Sequence, residues 1–265
     1  MDILAIIALL TAFGASVVGG ICGIGGGVVI KPVLDLIGFA SVSAIGFLSS
    51  CTVLSMSLYN VGKSYLEKSA AIDKKSGTPL AVGAAIGGIA GQQLFRFIKA
   101  AVASDSITGA SQAILLMVLV LGTLIYTVKK KSITPLEING SAICLVIGLA
   151  LGTASSFLGI GGGPFNLVVL HFFLGYETKR AVENSLYIVL LSQLANIMTT
   201  IISGSIPAVT TSSLLLMAAG GIAGGVVGKK ISKKLSGDAV DKLFIALMVL
   251  IIVICIYNAY KYLAL

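Results

Sequence analysis

From Ile3 to Cys22 the chain carries no charged side chain, and apolar stretches of similar length recur to its end. A helix needs about 20 apolar residues to cross a hydrocarbon core about 30 Å thick. Lipid offers the backbone no hydrogen bonds, so only helices or closed barrels can span it. The runs here are unbroken, whereas barrel strands alternate polar and apolar residues, so helices are expected. With 57% hydrophobic and 11% charged residues, the chain cannot clothe a water-facing surface, where about a quarter of residues are usually charged. The first run lacks a basic leader region and a cleavage site, and it reads as a retained helix rather than a signal peptide.

The net charge of +8 raises the question of nucleic acid. Its placement answers against it. Lys63, Lys68, Lys74 and Lys75 share one inter-segment loop; Lys129–Lys131, Lys179 with Arg180, and Lys229, Lys230, Lys233 and Lys234 fill others, while 203–209 has no charge. Loops that concentrate lysine mark the inner face of a membrane protein. Cys22, Cys51, Cys144 and Cys255 all lie in apolar segments without a CxxC pair, and they read as buried thiols.

One motif interrupts the runs. GIGGG occurs at Gly23–Gly27 and again at Gly159–Gly163, 136 residues on. Each copy follows a long apolar segment (Ile3–Cys22, Ala142–Leu158) and precedes a short one (Val28–Ala40, Pro164–Leu174). About a dozen residues cannot cross the core, so each pair is expected to be a re-entrant, broken helix. Three full crossings follow in each half: Val42–Val61, Thr78–Ile98 and Ser111–Val128, then Ala181–Ile202, Thr210–Val227 and Val240–Tyr260. With the lysine loops inside, both termini fall outside. Three crossings per half is an odd number, so the halves are inverted: 1–128 and 141–265, joined by a cytoplasmic linker 129–140. GGIAG at Gly87–Gly91 and Gly220–Gly224, offset by 133, supports the repeat, as does LMVL in the last crossing of each half.

Adjacent glycines break a helix and leave backbone groups unpaired, which lipid tolerates only in a protein interior or at a polar cavity. Paired breaks in inverted halves point to a transporter's binding site near the midplane. There the N-termini of the short helices favour an anion. Close helix packing is the plainer use of glycine, and it is the reading preferred for Gly83, Gly87 and Gly91 and for Gly220, Gly224 and Gly228, spaced by four. A dinucleotide-binding reading fails, because the last glycine of GxGxxG falls at Val28 or Pro164.

The doubled GIGGG, Pro32 five residues after the first copy, and an inverted repeat over essentially the whole chain resemble the sulfite exporter TauE/SafE family of membrane permeases. The resemblance implies a secondary transporter of sulfite, organosulfonates or related small anions in the cell membrane, coupled to a proton or sodium gradient or to membrane potential. An anion channel, a membrane subunit and a purely structural membrane protein are the other readings. Enzyme activity is not expected: HExxH, GxSxG and paired carboxylates are missing from the sequence, and no metal or cofactor is called for. The expected partners are a small anion, the bilayer and a coupling ion; oligomeric state is not given by sequence.

The candidate substrate-binding residues are Gly25, Gly26, Gly27, Gly161, Gly162 and Gly163, as amide donors, with Lys31, Asn166, Ser49, Ser50, Asn184, Ser185 and Gln193 around them. Lys31 has a competing use, an ion pair with Asp35 one turn on. Asn166 competes with an interhelical hydrogen bond. His171 reads either as a proton-coupling group or as a satisfied histidine. Glu183 reads either as a coupling carboxylate or as a salt-bridge partner of Lys179 and Arg180.

Overall fold

The computed structural model describes residues 3–67, 72–102, 104–138, 140–160 and 162–264. Among them it is all-helical: α1 (Ile3–Cys22), α2 (Gly27–Ile37), α3 (Val42–Leu66), α4 (Gly77–Val102), α5 (Asp105–Lys129), α6 (Ser141–Phe157), α7 (Phe165–Leu174), α8 (Thr178–Ile202), α9 (Thr211–Lys234) and α10 (Gly237–Leu263), with a 3₁₀ turn at Lys130–Ser132. Serine side chains start three of the long helices. Ser41, Ser104 and Ser236 accept the amides of Ala44, Ile107 and Ala239 at 3.3, 3.3 and 3.2 Å, satisfying donors that a helix N-terminus leaves over.

Among the described residues, six helices are long and apolar enough to cross a membrane: α1, α3, α5, α8, α9 and α10. The chain is therefore a multi-pass membrane protein. Five of the expected crossings are among the six. The differences are α4, which has 26 residues but is interrupted by Gln92 and Gln93, and α1, whose 20 residues are uninterrupted. At 1.5 Å per residue, α2 with 11 residues and α7 with 10 reach about 15 Å, half the core. Both stop at glycines in the left-handed region, Gly38 (φ 65°) and Gly175 (φ 66°).

Packing couples the two halves of the sequence. α4 lies on α6 and α9 on α1; α4 also meets α8, and α9 meets α3; α5 pairs with α10 and α3 with α8. Each contact has a counterpart when the first five helices are exchanged for the last five. The glycine rows make the closest approaches. Methyl carbons added at Gly83, Gly87 and Gly91 would lie 2.1, 2.0 and 2.2 Å from the carbonyl oxygens of Leu145, Leu149 and Thr153. Those added at Gly220, Gly224 and Gly228 would meet the carbonyls of Leu9, Phe13 and Val17 at 3.0, 2.4 and 2.4 Å. Gly87 thus corresponds to Gly224, not to Gly220 as the GGIAG match suggested. A row of glycines every four residues matches itself after one helical turn, so sequence alone leaves that register ambiguous.

The lysine-bearing segments gather at one end. Lys233 meets Glu67 at 2.5 Å, Lys131 meets Asp238 at 3.2 Å, Lys130 pairs with Asp241, and Arg180 reaches Asp73 at 3.2 Å. Arg180 is thus held to Asp73. Asp73 ties the loop before α4 to the start of α8. Its carboxylate accepts the Tyr176 hydroxyl at 2.5 Å, and its amide donates to Asn184 Oδ1 at 3.0 Å. Burial pushes the Asp73 carboxyl up, but the Tyr176 hydroxyl, the Lys75 and Ser76 amides and Arg180 more than offset this and hold it below the usual range.

Candidate functional site

The two glycine breaks meet in the interior. Gly23, Gly25 and Gly26 have φ of 71°, 80° and 73°, and Gly159 and Gly162 have 64° and 137°. L-residues rarely adopt these angles, so the breaks demand glycine for conformation alone. Gly27 is required for a second reason: a methyl carbon there would lie 1.7 Å from the carbonyl oxygen of Ile160. The backbone of one break rests on the backbone of the other.

The surroundings follow the 136-residue offset. Gly23 lies against Val182 of α8, and Gly159 lies against Gly46 of α3. Ser185 Oγ donates to the Gly23 carbonyl at 2.5 Å. Ser49 stands at the same offset from Ser185, yet its hydroxyl is buried without a hydrogen-bond partner. Buried hydroxyls are normally satisfied, so this one is set apart.

Two chambers flank the meeting point. The larger, of about 400 Å³, is lined by the start of α3 (Ser43, Gly46, Ser50), the end of α4 (Gln92, Arg96, Lys99), the end of α8 (Asn196, Thr200), Gln112, Ser156, Gly159 and Lys31. The smaller, of about 210 Å³, is lined by the end of α3 (Asn60, Ser64), the start of α8 (Lys179, Val182, Glu183), the end of α9 (Lys229, Lys233) and Gly20. The start of α3 thus shares a chamber with the end of α8, and its end with the start of α8, so the two helices run in opposite directions. The chambers open on opposite ends of that pair, and the smaller is at the lysine-rich end.

Electrostatically the larger chamber suits an anion. Arg96 donates to Ser203 at 2.9 Å, Lys99 pairs with Asp105 at 3.0 Å, and Lys31 reaches the floor, its Cε 3.5 Å from where a methyl carbon on Gly159 would sit. Lys31 is also held at 3.0 Å by Asp35, both groups being buried. The walls offer amide oxygens as well: Gln92 Oε1, Gln112 Oε1 and Asn196 Oδ1 have no protein partner.

The expected site residues are distributed as follows. Lys31 and Ser50 line the large chamber. Gly25, Gly26, Gly27, Ser49 and Ser185 are at or beside the meeting of the breaks, away from either chamber wall. Gln193 is fully buried, with both amide atoms unpartnered. Asn166 and Gly162 line a minor niche with Ser155 and Ser192. A methyl carbon on Gly163 would strike the Phe165 ring at 2.2 Å. Gly161 lies outside the described residues. Asn184 is engaged in the Asp73 tie and donates to the Arg180 carbonyl at 2.9 Å. His171 is hydrogen-bonded to the Tyr126 hydroxyl at 2.8 Å, near Lys130 and Asp241.

Sequence reasoning missed Gln92, Arg96, Lys99, Gln112, Asn196 and Thr200. Their signal was present, since polar residues inside apolar helices are costly and mark functional positions.

The family model described as Sulfite exporter TauE/SafE matches residues 8–254, nearly the whole chain. No curated protein and no solved structure matches it. The doubled GIGGG, the multi-pass helical fold and that match together place the chain in the sulfite exporter TauE/SafE family of membrane anion permeases.

Proposed function

We propose that the protein is a secondary permease for small sulfur oxyanions, sulfite or organosulfonates, built as two inverted repeats (1–128 and 141–265) around the glycine breaks. The observation that carries this reading is the large chamber: Lys31, Arg96 and Lys99 converge on a cavity floored by Gly159 of the second break. The exchange of helix contacts between halves and the opposite directions of α3 and α8 support the inversion. The packing of Gly27 on Ile160 leaves no room for an ion between the breaks, so the anion is assigned to the floor beside Lys31, Ser50 and Gly159. Ser49 and Gln193, buried and unpartnered, are the polar groups that a movement of the breaks exposes. Two cavities at opposite ends of one helix pair suit alternating access. The lysine-rich end is assigned to the cytoplasm of a cell-membrane protein, with both termini outside, and a proton or sodium gradient or membrane potential supplies the driving force.

The test is flux of radiolabelled sulfite in proteoliposomes with imposed ion gradients. Saturable flux that sulfonates compete for, and that Arg96→Gln with Lys99→Gln weakens by about tenfold or more, is the expected result. A non-saturating, purely voltage-driven current replaces the permease with a channel, and no anion flux at all refutes the reading.

A further inference from the structure

The smaller chamber has no assigned role, and its walls repeat those of the larger. Asn60 and Ser64 stand 136 residues before Asn196 and Thr200, and Gly20 stands 136 before Ser156. At one position between α3 and α9 or α8 and α4 the change bears directly on charge. Lys229 occupies the place of Gln92, 137 residues earlier, the offset that relates Gly224 to Gly87. The bonds correspond: Gln92 donates to Thr200, and Lys229 donates to Ser64 at 2.5 Å and to the Asn60 carbonyl at 2.6 Å. Where one chamber has an amide, the other has an ammonium.

We infer that the smaller chamber is a second oxyanion-binding site, in which Lys229 and the Asn60 side-chain amide hold the ion at the opposite end of the path from Arg96 and Lys99. Among the described residues Lys229 meets two acceptors, and an ammonium carries three donors, one of which is available to a ligand. Asn60 is 2% exposed, and both its side-chain nitrogen and oxygen lack partners, an arrangement that a folded protein normally avoids without a ligand or water. Lys179 and Lys233 add positive charge at the mouth, against Glu183 there and Glu67, which Lys233 engages. The volume of about 210 Å³ admits a small oxyanion with water but not a bulky organic anion.

This inference rests on the permease reading, and binding stoichiometry separates the two. Radiolabelled sulfite is titrated onto the purified full chain in nanodiscs. Two ions per wild-type chain are expected. Lys229→Gln, which installs the residue found at position 92, should weaken one of the two by at least tenfold, and Lys229→Arg should retain it. Arg96→Gln with Lys99→Gln should remove the other ion and spare the Lys229 site. Asn60→Ala keeps the backbone acceptor of Lys229, so it weakens the same ion even if the Lys229 variants fold poorly. One ion per wild-type chain, or an isotherm unchanged by Lys229→Gln and Asn60→Ala, overturns the second site while leaving transport intact. A wild-type chain that neither binds nor moves sulfite refutes the permease reading and this inference with it.

Discussion

Replacing Gly87 with alanine tests how the two halves are held together. The added methyl carbon would lie 2.0 Å from the Leu149 carbonyl oxygen, where ordinary contact begins near 3.4 Å. Neither atom can swing aside, because both belong to helix backbones, so α4 and α6 must part locally by roughly 1.4 Å. The approach is reciprocal: a methyl carbon at Gly148 would meet the Leu80 carbonyl oxygen, and one at Gly152 the Ala84 carbonyl oxygen, both at 2.0 Å. A wedge at Gly87 therefore loosens about two turns of contact. Overpacking of this kind costs up to about 3 kcal/mol, and the helix preference for alanine over glycine returns about 1 kcal/mol. A net loss of about 2 kcal/mol corresponds to a fall of about 4–8 °C in melting temperature at 2–4 °C per kcal/mol. Gly122, with nothing within 4 Å of an added methyl carbon, is the control; alanine there should hold or raise the melting temperature. The chain has no tryptophan, but Cys22, Cys144 and Cys255 are buried, so a thiol-reactive dye reports unfolding in detergent. A Gly87→Ala melt within a degree of wild type, or an equal fall in Gly122→Ala, refutes the reasoning.

Three further outcomes follow. Ser185→Ala removes the bond to the Gly23 carbonyl and should cost about 1–3 kcal/mol, whereas Ser49→Ala relieves an unpartnered buried hydroxyl and should leave the melt unchanged or higher; equal melts for the two would refute this. Asp73 is held below its ordinary value near 3.8, so its contribution is full above that pH and is lost as pH falls through the folded value; the acid-side drop in melting temperature should be smaller in Asp73→Asn than in wild type, and an identical drop removes the tie. Cysteines introduced at Ala208 and at Lys131, which is 80% exposed, should label from opposite sides of the membrane, and labelling of both from one side removes the inverted arrangement.

Much of the architecture was legible because lipid constrains the sequence so strongly. The apolar runs gave the helices, and two adjacent-glycine clusters separated by half the chain gave the breaks. The crossings were harder to count. α4 carries Gln92, Arg96 and Lys99 on the wall of a chamber, which lowers its apolarity, while α1 reads as a span in its own right. From sequence, the glycines of the breaks read as bare amide donors. Their positive φ values and the seating of Gly27 on Ile160 depend on tertiary contact across 133 residues, which no local pattern reports. For the same reason Gly26→Ala is a poor probe of anion binding, since φ of 73° strains any side chain there and the Ala15 carbonyl would lie 2.9 Å away. The chamber residues were scattered over α3, α4, α5 and α8, and only packing brings them to one wall.

The crossed pairing of α1 with α9 and of α4 with α6 bears on how the chain is made. α9 begins at Thr211, 189 residues after α1 ends at Cys22, and synthesis at about 5–20 residues per second puts roughly 10–40 s between them. Throughout that interval the α1 surface that will receive Gly220, Gly224 and Gly228 faces lipid or an insertion chaperone, and α2 carries Lys31 and Asp35 without most of their final enclosure. The nascent first half is therefore a committed but unfinished membrane segment, exposed to quality-control proteases until the final helices arrive. Co-expressed halves should rescue one another from degradation, because each supplies the glycine row that the other's first helix lacks.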